Sequence, residues 1–78
     1  MIKRGYRDMV RGVESQRIEG LVDAYVHNDR DREIIKLSLV HGVSYTRIAD
    51  RIDPWVSPRT VQTVLNRWMP VIMEHVEN

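Results

Sequence analysis

Apolar residues recur along this chain at spacings of three and four, and nowhere alternate for long enough to line one face of a strand. Tyr6, Met9, Val10 and Val13 form one such set; Ile18, Leu21, Val22, Tyr25 and Val26 form a second, out of phase with the first. The slip falls between Gly12 and Arg17. It predicts a frayed first helix or arm followed by a firmer helix over about 14–26, with a single bent helix as the other reading. Asn28-Asp29-Arg30-Asp31 then interrupts the pattern with capping residue types, and acids at 29, 31 and 33 suit the positive end of a third helix running to His41. Gly42 supplies a left-handed stop.

Ser44 is the next cap, and Tyr45, Ile48, Ala49 and Ile52 give the buried side of a short helix ending near Asp53. Asp53-Pro54-Trp55 cannot continue it easily, because proline lacks a donor and disfavours helical geometry at the residue before it. Ser57-Pro58 opens another helix, with serine as cap and proline at the first helical position, where its missing N–H is not needed. Val61, Val64, Leu65 and Trp68 line its buried face. Pro70 is expected to end or kink it, leaving a short tail helix or a frayed terminus. The fold expected is all-α: a small four- to five-helix domain containing a helix-turn-helix, with a basic arm or helix over 1–13, the helical domain over 14–70 and a short tail over 71–78.

Composition narrows the function classes. Seventy-eight residues make one small domain, with little room for a typical enzyme site. No cysteine is present, so disulfides, thiolate metal sites and a cysteine nucleophile are excluded. His27, His41 and His75 fall in different predicted elements, which argues against a metal site. No phosphate-cradling glycine loop or nucleophile elbow occurs, so neither catalysis nor a cofactor is expected. The chain shows no apolar run long enough for a membrane and no signal peptide, and the expected location is the cytoplasm of a bacterial host.

The net charge of +1 conceals an uneven distribution. Residues 1–11 carry Lys3, Arg4, Arg7 and Arg11 against Asp8; residues 14–33 carry six acids against Arg17, Arg30 and Arg32; from Pro54 to Met73 there is no acid at all. Local field, rather than net charge, is what phosphates respond to. The helix from Pro58 has an outer face of Arg59, Thr60, Gln62, Thr63, Asn66 and Arg67. Arginine bonds guanine bidentately, asparagine and glutamine do the same for adenine, and threonine offers a hydroxyl and a methyl. Arg59, Thr60, Gln62, Thr63 and Asn66 are therefore the candidate base readers. Ser57, at the positive end of that helix, with Arg47, Arg67, Lys3, Arg4 and Arg7, are the candidate phosphate contacts.

Three runs together, Arg32-Glu33-Ile34-Ile35-Lys36-Leu37, His41-Gly42-Val43-Ser44-Tyr45-Thr46-Arg47-Ile48-Ala49-Asp50 and Val56-Ser57-Pro58-Arg59-Thr60-Val61, resemble the fourth-region helix-turn-helix of bacterial sigma factors, a pattern shared by small phage-encoded transcription regulators. The resemblance covers roughly residues 30–69. It implies a DNA-binding module that places the helix from Pro58 in the major groove, with the helix from Ser44 bracing it across the backbone. The chain departs from that pattern in three places: Asp53-Pro54-Trp55 stands where relatives turn on a glycine, Arg47 stands where they often carry glutamate, which removes a reciprocal capping box, and Pro70 is expected to shorten the reader helix.

The function expected is that of a stand-alone, sequence-specific regulator of transcription, of phage or mobile-element origin, with double-stranded DNA as its partner. A DNA-recognition module of a packaging or recombination-directionality protein, and an adaptor binding RNA polymerase, are the alternatives. Trp55 is expected to close the core, with a wedge against DNA as its other role, and Trp68 to lie in the core. Because so short a chain cannot bury every stripe, either the set from Ile18 to Val26 or the tail Val71, Ile72, Met73 and Val76 is expected to serve a homodimer interface.

Overall fold

A computed structural model describes residues 6–52 and 54–76. All regular structure among them is helical: α1 (Tyr6–Met9), α2 (Ser15–Tyr25), α3 (Asp29–Leu39), α4 (Tyr45–Arg51) and α5 (Pro58–Val76). The fold class read from the sequence is the one observed. No helix among the described residues is long and apolar enough to cross a membrane.

Each boundary has a local cause. The slip between the first two apolar sets is a true break, turned at Gly12 with φ +87°, a backbone conformation open to glycine at little cost. Asn28 caps α3 by accepting from the Asp31 N–H at 3.1 Å. Beyond α3 the chain reverses at Gly42, φ +66°, and the Val43 N–H closes the turn on the Leu37 carbonyl at 2.9 Å. Ser44 caps α4 through the Arg47 N–H, and Ser57 caps α5 through the Thr60 N–H.

The long α5 is the element on which the others assemble: α4 packs on it most extensively, and α2 and α3 also lie against it, while α1 leans on α3. The resulting core contains Ile18 and Val22 of α2, Ile34, Ile35 and Leu39 of α3, Ile48 and Ala49 of α4, and Val61, Leu65, Met69 and Ile72 of α5. Ala49 is almost fully buried, a position where only a small side chain lets neighbouring backbones come close. Val64 of α5, with Val10, Val26 and Ile52 just outside their helices, completes the cluster.

Two expectations are corrected by this packing. Pro70 does not end the last helix, which continues to Val76. The proline is exposed, so the Asn66 carbonyl deprived of its N–H partner lies on the wet side, while Met69 and Ile72 hold the helix to the core on the dry side. Trp55 is not in the core; it is 65% exposed, and its indole N–H donates to Asp50 Oδ1 at 3.1 Å. Of the two apolar stripes considered for a dimer, Ile18, Val22, Val26 and Ile72 are buried and Met73 and Val76 pack against the same cluster, while Tyr25 is exposed. Trp68 is half-buried against the core as expected, but it also has a polar task, donating its indole N–H to Asp31 Oδ2 at 2.9 Å.

Candidate nucleic-acid interface

The first turn of α5 is built by Ser57. Its Oγ accepts from the Thr60 N–H at 3.2 Å and shares a further hydrogen bond with Thr60 Oγ1 at 3.1 Å. Both hydroxyls are thereby engaged inside the turn. Pro58 has no N–H to offer, so the donor left at this helix end is that of Arg59, at the positive pole of a helix of 19 residues.

From this start the residues of α5 separate by face. Val61, Val64, Leu65, Met69 and Ile72 are buried, and Arg59, Gln62, Thr63, Asn66, Arg67 and Pro70 are exposed along one stripe. Thr60 sits half-buried at the stripe's edge. Thr63 turns its hydroxyl back onto the Arg59 carbonyl at 3.0 Å, which leaves its methyl as the group it presents outward. Asn66 is engaged as well: the Tyr6 hydroxyl, from the start of α1, donates to its Oδ1. Of the five candidate base readers, Arg59 and Gln62 thus carry polar ends with no partner among the described residues.

The candidate phosphate contacts divide differently. Arg47, at the third position of α4, and Arg67 of α5 are exposed and form no ion pair among the described residues. Arg7 lies on the turn before α4, with its guanidinium where a Cβ on Gly42 would stand, at 2.7 Å. Lys3 and Arg4 lie outside the described residues. A cleft of about 470 Å³ beside α1 is lined by Arg7, Arg11 and Ser15 with Val10, Ile18 and Leu39.

The acid-rich half of the molecule behaves otherwise. Lys36 Nζ meets Asp23 Oδ1 at 2.7 Å, and this bond holds the Asp23 carboxyl below its usual range. Arg30 meets the buried Asp31 at 3.4 Å and Arg32 meets Asp29 at 3.6 Å. Arg32 also donates to the carbonyls of Val26 and Asp23 at the end of α2. Arg17 donates to the Val76 carbonyl at 3.1 Å, at the end of α5. Every cation described on α2 and α3 therefore has an internal acceptor, whereas Arg47 and Arg51 of α4 and Arg59 and Arg67 of α5 have no carboxylate partner among the described residues.

Two participants escaped the sequence reading. Arg51 was available in principle, as a second exposed arginine on the short helix. Tyr6 was not, since its apolar spacing marks it as a packing residue and its hydroxyl partner lies 60 positions away. Comparison with protein families, with curated proteins and with solved structures finds no match to this chain.

Proposed function

We propose that this protein is a sequence-specific double-stranded-DNA-binding regulator of transcription that reads the major groove with the exposed stripe of α5. The observation that carries the reading is the segregation of cations: those of α2 and α3 are spent on internal acceptors, and the arginines of the packed pair α4 and α5 have no carboxylate partner among the described residues. An arginine without a carboxylate partner among the described residues is available to phosphate oxygens and to guanine.

The roles follow from chemistry and position. Arg59 and Gln62 offer full-length polar ends to base edges, Thr63 offers a methyl suited to thymine, and Asn66 offers its amide. Arg47 and Arg67 take phosphates, which fixes orientation without reading sequence. Ser57 acts through the turn it builds, presenting the Arg59 N–H to a phosphate, since its own hydroxyl is committed. A helix-turn-helix made of α4 and α5 is the arrangement that would deliver this stripe to the groove. The chain carries one such stripe, so a two-fold site would require two copies assembling on the DNA.

Selection from a randomised duplex pool, at two salt concentrations, tests the reading. Enrichment of a defined motif, with affinity falling as salt rises, is the expected result. Arg59→Ala should relax specificity at one base pair, costing about 1–3 kcal/mol there, while Arg47→Ala should weaken all sequences alike and lower the salt slope by about 1. No enriched motif, or affinity indifferent to salt, overturns it.

A further inference from the structure

α1 is only four residues long, yet it is held at several points. Val10, which follows it, is buried in the core, the Arg7 guanidinium rests on the turn at Gly42, and the half-buried Tyr6 packs against the core cluster. Tyr6 also neighbours Tyr45 of α4, whose hydroxyl is pushed above the usual phenol range first by burial and then by Tyr6. The Tyr6 hydroxyl is therefore a fixed group, delivered from the opposite end of the chain to the middle of the α5 stripe, where it donates to Asn66 Oδ1.

An unrestrained asparagine amide is a two-way reader. It accepts through Oδ1 and donates through Nδ2, and this pair matches N6 and N7 of adenine. A phenol donates more strongly than it accepts, so Tyr6 holds Oδ1 toward itself and leaves Nδ2 as the group turned to other partners. A donor without a free companion acceptor suits a base edge made of acceptors. Guanine, with O6 and N7, is the best match in the major groove, and adenine loses the second of its two bonds.

We infer that Tyr6 is a positioning residue of base recognition: by fixing the Asn66 amide as a donor, it sets the preference of one reader position toward guanine and away from adenine. This inference rests on the DNA-binding reading of α5, and its test separates the two. The intact chain, Tyr6→Phe, Asn66→Ala and Asn66→Asp are each put through selection from a random duplex pool, followed by titration against single-base variants of the selected site.

The parent is expected to select a motif containing a guanine that disappears with Asn66→Ala. Tyr6→Phe, which removes one oxygen and keeps the ring, should leave the rest of the motif intact and shift the guanine-over-adenine ratio at that position about tenfold toward adenine. Asn66→Asp keeps an acceptor for Tyr6 but abolishes the outward donor, so preference should move to cytosine, whose N4 is a donor. A packing role for Tyr6 would instead lower affinity at all positions equally. An unchanged preference at the Asn66 position in Tyr6→Phe, or a uniform loss, overturns the inference while leaving DNA recognition standing. A parent that selects no motif overturns both.

Discussion

At the scale of single residues, the buried carboxylate of Asp31 shows how one side chain ties distant parts together. It is 2% exposed, and its two oxygens are divided between Arg30, its neighbour in sequence, and the indole N–H of Trp68, 37 residues on. A buried acceptor stripped of its donor costs the desolvation it no longer recovers. Trp68→Phe is therefore expected to destabilise by about 1–3 kcal/mol beyond the small loss of ring contact, measured by urea unfolding. Asp23 makes a different kind of contribution. Its carboxyl lies below the usual range because Lys36 bonds it, so its stabilising effect is present above the ordinary carboxylate pKa and is lost as pH falls through the lowered value. The melting-temperature gap between the parent and Asp23→Asn should accordingly shrink as pH is lowered through that window. In the sequence both residues read alike, as acids near helix ends. Burial separates them, and burial is a property of what packs above.

At the scale of elements, α5 carries the most. Its continuation past Pro70 follows from Ile72, which is fully buried, from the Arg17 side chain on the Val76 carbonyl, and from the Tyr25 and His75 rings stacked with centroids 3.8 Å apart. The last turns of α5 are thus held by α2. Ile72→Ala is expected to cost about 2–5 kcal/mol, the range for truncating a core side chain, in a two-state unfolding measurement. A frayed tail would give almost no change. The turn before α4 is set by Gly42, whose φ of +66° is costly for any residue with a Cβ. Gly42→Ala should destabilise by about 1–2 kcal/mol. Adding Arg7→Ala should not restore the loss, because removing the overlying guanidinium relieves the contact but not the backbone. The caps at Asn28, Ser44 and Ser57 and the stop at Gly42 were all legible, since capping depends on residues within a few positions of one another. The fate of the helix at Pro70 was not, because contacts from α2 decide it.

At the scale of the whole molecule, the described residues form a flattened body of 34 × 34 × 19 Å, with a radius of gyration of 11.8 Å close to the about 11.5 Å usual for this length. Its large exposed apolar side chains are Met9, Tyr25 and Trp55, carried by separate parts of the chain, and a scatter of this kind does not make an apolar interface. The free protein is therefore expected to sediment as a monomer at micromolar concentration. Pairing would then be seen only with a duplex carrying two half-sites, as a second retarded species in a titration. The near-zero net charge is likewise a sum over two unlike regions: one whose cations are held by internal acceptors, and one whose arginines have no carboxylate partner among the described residues.

The sequence by itself determined the helices, most of their ends, and which face of α5 is polar, because period, capping and glycine geometry act over a few residues. It also determined that no acid lies from Pro54 to Met73. Only the tertiary structure decided which charges are spent on internal acceptors, that Trp55 stays outside while Trp68 serves Asp31, that Ile18, Val22, Val26 and Ile72 join one core, and that Tyr6 reaches Asn66. Each of these depends on groups tens of residues apart meeting in one place, and no local pattern along the chain records such a meeting.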